Sequence, residues 1–148
     1  FEGKNRLIRD VALSALAGRT IKVSSPSHVR DFIFIEDVAN AYIQASEIQH
    51  KPGEIYNIGS GEQHSVGDIV RLILEITKSK SNVQWGAVAK QARYIEPSRW
   101  EADMSKTKRV LKWEPKNTIE VGLAKTIGWF EKNKNLYRAV TQIANPQT

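Results

Sequence analysis

The sequence has no cysteine, a single methionine and no long apolar run. The lack of cysteine excludes disulfides and thiolate metal sites, and it favours a reducing compartment, so we expect a cytoplasmic protein. No segment approaches the roughly 20 apolar residues that cross a bilayer, and no signal peptide is visible, so we expect no membrane partner. The chain starts with Phe1 rather than Met, which we interpret as the start of a fragment.

The sequence also lacks an even distribution of charge. Residues 78–116 carry ten Lys or Arg against four Asp or Glu, whereas the rest of the chain carries twelve of each. This local excess suits a compact anionic ligand at least as well as a polyanion, and a solvated basic face without a ligand is equally open. No groove-reading motif accompanies the charge, so we expect no nucleic-acid partner.

Apolar periodicity predicts a small mixed α/β domain over residues 1–133, followed by a tail over residues 134–148. Ser65 and Asp68 form a predicted capping box, and Asp37 and Thr118 are predicted N-caps. The predicted helices cover residues 7–16, 37–47 and 66–77, a segment from 103 or 105 to 111, and residues 119–130. The predicted strands cover residues 20–24, 32–35, 54–59 and 83–85.

Several chemical patterns are absent. The loop "NIGSGEQHS" matches the dinucleotide-binding fingerprint at Gly59 and Gly61, but His64 occupies the third glycine position, which favours a tight strand-to-helix junction. His28, His50 and His64 are far apart and lack carboxylates at metal-ligand spacing, so we predict no metal site. Neither a Tyr-x-x-x-Lys pair nor a nucleophile–base pair is present, so we assign no catalytic residue to this chain.

Three arginines lie in segments predicted to be non-helical. Arg30 precedes an apolar run, and Arg93 and Arg99 lie in a stretch with little periodicity. The planar guanidinium suits bidentate recognition of phosphate, and ligand contacts concentrate in loops beside a sheet. A simple ion pair with a neighbouring acid, such as Asp31 or Glu96, remains an equal alternative.

Three longer motifs carry a resemblance. "VRDFIFIEDVANAYIQASE", "GEIYNIGSGEQHSVGDIV" and "ADMSKTKRVLKWEPKNTIEVGLAKTIGWF" follow one another in this order. Together, over residues 6–130, they resemble the C-terminal half of the extended short-chain dehydrogenases, the NAD-dependent nucleotide-sugar epimerases and dehydratases. Each motif alone is moderately specific, and the three in sequence are strong.

The resemblance implies a substrate site. Arg30, which opens the "RDF" motif, and Arg93, ten residues before the aspartate of the "AD-x-S-K" motif, correspond to arginines that contact the diphosphate. Glu96 corresponds to an acidic residue that binds the ribose hydroxyls, and Ile21 and Val23 belong to the segment that flanks the base. The usual R-P-G-D/E turn appears here as "RYIE", so this loop departs from the family pattern.

The resemblance also implies a division of labour. This half grips a UDP-, CDP-, GDP- or dTDP-sugar, whereas NAD or NADP and the Ser/Thr, Tyr and Lys of catalysis belong to an N-terminal Rossmann domain that is missing here. Hydride transfer at the sugar ring would need that domain, so we predict this chain alone to be inactive. A free-standing sugar-nucleotide-binding or interaction module and a basic nucleic-acid binder remain alternatives. Exposed apolar surface also leaves self-association into a homo-oligomer open.

Overall fold

A computed structural model describes residues 6–49, 52–87 and 97–137. Within these ranges five helices and four short strands are mixed along the chain, which confirms the predicted small mixed α/β fold. No helix in the described ranges is long and apolar enough to cross a membrane. In chain order the elements are α1 (Leu7–Leu16), β1 (Ile21–Lys22), β2 (Val29–Asp31), α2 (Ile35–Glu47), β3 (Gln63–Ser65), α3 (Val66–Thr77), β4 (Val83–Gln84), α4 (Ser105–Leu111) and α5 (Ile119–Lys132).

The strands form two separate pairs. β1 and β4 are parallel, with Ile21 opposite Val83. β2 and β3 are antiparallel, and Arg30 lies opposite His64 in their register. The second pair leads directly into α3, so the position of Arg30 is tied to the start of a well-packed helix.

Two predicted caps are confirmed. The hydroxyl of Ser65 accepts a hydrogen bond from the backbone N–H of Asp68 at 3.0 Å, and the Asp68 carboxylate accepts one from the Ser65 N–H at 3.4 Å. At the start of α5 the Thr118 hydroxyl accepts from the N–H of Val121 at 3.4 Å. Each cap satisfies N–H groups that the first helical turn leaves without an intrahelical partner.

The larger core cluster lies among α1, α3, α5 and β1. Each of the three helices presents a stripe of apolar residues to it, as the sequence periodicity predicted. The buried members are Val11, Ala12, Ala15, Ile21, Val23, Val66, Ile69, Val70, Ile73, Leu123, Ile127, Phe130 and Tyr137. A smaller cluster joins α2 to α4 through Ala41, Met104, Leu111 and Trp113.

Tyr137 belongs to the segment that we predicted to be a tail. Its ring is buried, lies edge-on to Phe130 at 5.3 Å between centroids, and faces the Arg9 guanidinium at 5.3 Å. At least one residue after position 133, Tyr137, is therefore part of the core. The division of the chain at that residue stays a prediction.

The prediction of a strand at residues 32–35 is wrong, because the observed strand begins three residues earlier. The paired residues are those of β2, and α2 already begins at Ile35, which is 70% exposed. Phe32 and Ile33 are partly buried against the two core clusters without strand pairing, so their apolar character reflects packing and not a ladder. The predicted N-cap role of Asp37 is also wrong, because Asp37 lies inside the first turn of α2.

The strand predicted at residues 54–59 is not observed either. Among the described residues this segment is held by α4 and the residues before it instead. The Thr107 hydroxyl donates to the carbonyl of Asn57 at 2.6 Å, and the Asn57 amide donates to the carbonyl of Asp103 at 3.2 Å. Ile55 is 78% exposed. Alternating apolar residues describe a surface with two faces, but a strand also requires a partner, and the local pattern carries no information about one.

We expect the Ser65→Ala substitution to lower the free energy of unfolding by about 1 kcal/mol, because it removes the oxygen that caps α3. Urea denaturation followed by circular dichroism measures the change. Ser14→Ala, inside α1, is the matched control and should be neutral or slightly stabilising, because alanine is the better helix former. Equal effects of the two substitutions would contradict a capping role for Ser65.

Candidate functional site

The carboxylate of Asp31 joins three segments that are distant in the sequence. It accepts hydrogen bonds from the N–H and hydroxyl of Ser60 at 2.7 and 2.6 Å, from the N–H of Gly61 at 3.1 Å, and from the N–H of Ala102 at 3.0 Å. The end of β2, the loop before β3 and the segment before α4 therefore meet at one side chain. Hydrogen bonds to an ionised acceptor are about twice as strong as neutral ones.

This environment lowers the pKa of Asp31 below its ordinary value of 3.8. Burial is the largest single influence and raises the pKa, but the hydrogen bonds from Ser60, Ala102 and Gly61 together lower it by more. Asp31 is thus held as a carboxylate, which is the form that its four donors require.

Gly59 allows the three segments to approach. A Cβ atom at this position would lie 2.6 Å from the Cβ of Ala102 and 2.6 Å from Oδ2 of Asp31. Both distances are shorter than non-bonded atoms tolerate, so the loop needs glycine for close contact.

The same contacts explain why the "NIGSGEQHS" loop is not a phosphate cradle. A cradle presents backbone N–H groups to the ligand, but here the N–H groups of Ser60 and Gly61 donate to Asp31. With His64 at the third glycine position, the residues of this loop do not fit a dinucleotide. Sequence spacing alone favoured the same interpretation, and the carboxylate supplies the reason.

Arg30 immediately precedes Asp31 and lies in the middle of β2. Its Nη1 donates to the carbonyl oxygen of Val29 at 2.6 Å, and its guanidinium carbon lies 4.4 Å from the centre of the Trp100 ring. The backbone N–H of Trp100 donates to the side-chain oxygen of Gln63 on β3 at 2.9 Å. A fixed arginine therefore lies on the two-stranded sheet, in contact with an indole that the same sheet holds.

Trp100 lines a cleft of about 880 Å³, and Arg30 borders this cleft only through its contact with that indole. Its lining includes the basic residues Arg99 and Lys108 and the acidic residues Glu62, Glu101 and Asp103. A groove of about 1300 Å³ follows α5 and residues 32–36 instead. We assign the candidate site to the smaller cleft, because Trp100 connects it to the predicted arginine.

The other predicted site residues have different outcomes. Arg93 and Glu96 lie outside the described residues, so their roles stay predictions. Arg99, the third arginine considered, is largely exposed and pairs with Glu101, as the ion-pair alternative expected. Among the described residues no three His, Asp or Glu side chains are grouped so that they could hold a metal ion.

Ile21 and Val23 are buried, so their side chains face the core. Their N–H groups donate to the carbonyl oxygens of Asn82 and Gln84 at 2.8 and 3.1 Å. Lys22 between them is exposed. Their predicted role beside a base stays a prediction. In this structure their side chains pack in the core and fix β1.

Comparison with known proteins identifies the family. The model of the GDP-mannose 4,6 dehydratase family matches residues 2–126. The chain belongs to this family. The resemblance to nucleotide-sugar epimerases and dehydratases inferred from the three motifs is thereby confirmed.

Two relatives of this chain are named for their activities. A dTDP-glucose 4,6-dehydratase of Escherichia coli is 31% identical over 144 residues, which are 91% of this chain and 40% of the relative. UDP-glucuronic acid decarboxylase 1 of Danio rerio is 30% identical over 128 residues, 86% of this chain and 29% of the relative. The chain thus spans about two fifths or less of these relatives.

Solved structures of the same class share the fold. Epimerase Mth375 from Methanothermobacter thermautotrophicus superposes with a TM-score of 0.83 at 25% identity, covering 93% of this chain and 40% of that protein. UDP-glucose 4-epimerase of Thermotoga maritima, solved with UDP-glucose, gives 0.77 at 27% identity over 88% and 40%. WbmF of Bordetella bronchiseptica, solved with NAD+ and UDP, gives 0.76 at 29% identity over 93% and 39%.

The sequence did not identify Trp100, Ser60 and Gln63 as residues of this site. Trp100 lies 70 positions from Arg30 in the sequence, and no spacing rule relates positions so far apart. The "AD" of the third motif gave an indirect signal, because its alanine N–H is the group that reaches Asp31.

We expect Gly59→Ala to lower the free energy of unfolding by about 1–3 kcal/mol, the usual cost of forcing an extra methyl into a filled space. Gly128→Ala is the matched control: no atom lies within 4 Å of its added Cβ, and it lies within α5. That control should stabilise by about 0.5–1 kcal/mol through helix propensity. Chemical denaturation of both variants measures the opposite signs, and a neutral Gly59→Ala would contradict the close approach.

We expect Asp31→Asn to lower the free energy of unfolding at pH 7 by about 1–3 kcal/mol, because an NH2 group then faces N–H donors. The folded-state pKa of Asp31 is lowered, so its contribution is complete above the ordinary value of 3.8 and is lost as the pH falls through the folded value. The difference between wild type and variant should therefore shrink below about pH 4. Denaturation at a series of pH values tests this, and a pH-independent difference would exclude the carboxylate as its source.

Proposed function

We propose that this chain is the substrate-gripping lobe of an NAD(P)-dependent nucleotide-sugar epimerase, dehydratase or ketoreductase. Membership of the family and the fold supports this class, and the relatives' names contain dTDP- and UDP-sugars. The observation that carries the proposal is Arg30, a partly buried arginine on β2 that stacks on Trp100, and Trp100 lines an open cleft.

The proposed chemistry of the lobe is recognition. A diphosphate carries its charge on oxygens that accept paired N–H donors, and the guanidinium of Arg30 presents such donors in a fixed plane. Arg93 would supply a second guanidinium and Glu96 would accept from the ribose hydroxyls. Ile21 and Val23 would hold the strand beside the base. Binding energy from these groups, remote from the reacting carbon, orients the sugar ring for the reaction.

The cofactor belongs to another part of the complete enzyme. Structures related to this chain are described with NAD+ and NADH, and NAD or NADP would supply redox chemistry at the sugar. The loop at Ser60 and Gly61 does not fit the cofactor, because its N–H groups are bonded to Asp31. We therefore propose a separate Rossmann domain as the partner of this lobe, and the cytoplasm as the location of the complete enzyme.

We expect Arg30→Ala and Arg93→Ala each to weaken nucleoside diphosphate binding by about 1.5–3 kcal/mol, the range for hydrogen bonds to charged groups. Calorimetry on the complete enzyme with UDP, CDP, GDP and dTDP measures the loss and identifies the base. Arg71→Ala is the control, since Arg71 is exposed on α3 and pairs with Asp68. Unchanged affinity in both of the first two variants would refute the proposed site.

A thermal melt separates this function from the nucleic-acid alternative. A nucleotide sugar that binds the folded state should raise the melting temperature, because binding to the native state alone stabilises it. Oligonucleotides at the same charge concentration should leave the melting temperature unchanged. A shift with oligonucleotides and none with any of the four nucleotide classes would favour a basic binding module.

A further inference from the structure

We propose that Trp100 is a positioning residue for the diphosphate site: its indole holds the guanidinium of Arg30 in the orientation that meets the phosphates. The inference rests on the proposed function, because Trp100 can position a diphosphate ligand only if Arg30 binds the diphosphate. None of the three motifs identified Trp100, and we propose that it acts by contacting Arg30 and not by contacting the ligand.

The contact between the two side chains is close and of the strongest kind. The guanidinium carbon of Arg30 lies 4.4 Å from the ring centre of Trp100, whereas Lys106 lies 4.8 Å from the ring of Tyr56 and Arg9 lies 5.3 Å from that of Tyr137. Tryptophan is the best aromatic partner for a cation, and a guanidinium stacks on it through its flat face.

The indole is held by the same sheet that carries the arginine. The N–H of Trp100 donates to Gln63 at 2.9 Å, and the N–H of Ala102 donates to Asp31 at 3.0 Å. Gln63 and Asp31 are themselves paired across the two strands. Two hydrogen bonds therefore fix the segment containing Trp100 against both strands, so the ring and the guanidinium keep one relative position.

A stacked guanidinium is prepared for phosphate. Stacking occupies the face of the group, whereas its N–H donors lie in the plane and point from its edge. A long arginine side chain loses rotamer freedom when it binds a ligand, and a side chain that is already held loses less. Trp100 is 41% exposed and lines the cleft of about 880 Å³, so the ring that holds the guanidinium borders this cleft.

The test compares a nucleoside diphosphate with its nucleoside in the complete enzyme. We expect Trp100→Leu to weaken UDP or dTDP binding about three- to twentyfold, the range of a partly desolvated cation–π contact. Binding of uridine or thymidine should change less than about twofold, because these molecules lack the phosphates that Arg30 binds. Trp100→Phe, which keeps an aromatic face, should recover most of the loss.

Two further variants distinguish positioning of the Arg30 guanidinium from a general effect on the stability of the lobe. Gln63→Ala removes the acceptor of the Trp100 N–H but keeps the indole, and it should give a smaller loss that is again specific to the diphosphate. It also preserves the test if Trp100→Leu fails to fold. Trp129→Leu, at 44% exposure on α5, is the matched control and should leave the diphosphate-to-nucleoside ratio unchanged.

The outcomes distinguish the two proposals. In an Arg30→Ala background, Trp100→Leu should cause no additional loss of diphosphate affinity, because the indole then has no guanidinium to hold. If Arg30→Ala weakens UDP binding and Trp100→Leu does not, positioning by Trp100 is refuted and the proposed function stands. Equal weakening of UDP and uridine by Trp100→Leu also refutes it, because the ring would then act on the base or on the lobe as a whole. If Arg30→Ala, Arg93→Ala and Trp100→Leu all leave diphosphate binding unchanged, the proposed function fails as well.

Discussion

The geometry of the site depends on the carboxylate of Asp31. Its donors come from positions 29, 30 and 71 residues away, so one side chain at the end of β2 fixes two distant segments. An isolated buried carboxylate is unfavourable, but four donors replace the water that it loses. Arg30 is adjacent to this carboxylate in the chain, so the position of the arginine follows from where Asp31 finds its donors.

A second carboxylate in the same short stretch has a parallel role. Asp37 is only 1% exposed, and it accepts from the N–H of Lys116 at 3.0 Å and from the N–H and side-chain amide of Asn117 at 3.2 and 3.0 Å. These groups precede α5. The motif that contains Arg30 therefore holds the segments before α4 and α5 through two acids, Asp31 and Asp37. Phe32 and Ile33 lie between these acids in the sequence and pack against the two core clusters.

Features set by nearby residues were predictable from the sequence. The Ser65–Asp68 box needs only two side chains three positions apart, and the apolar stripe of α3 needs only a period of 3.6 residues. The place of β2 was not predictable in this way, because a strand is defined by its partner, and β3 lies more than 30 residues further along the chain. For the same reason the motif resemblance identified Arg30, but nothing local indicated that Trp100 would lie beneath it.

The distribution of charge supports a fixed site over a diffuse one. The net positive charge belongs to residues 78–116, yet within the described part of that range Lys106 pairs with Glu54, Lys108 with Glu114 and Arg99 with Glu101. Such exposed pairs contribute little energy and are screened over about 8–10 Å at physiological ionic strength. Arg30 differs in being partly buried and stacked on Trp100, so the fold holds its charge in one place. The surface lysines can therefore hasten the approach of an anion. The affinity of the proposed diphosphate ligand would depend on the few cations that the fold holds in place.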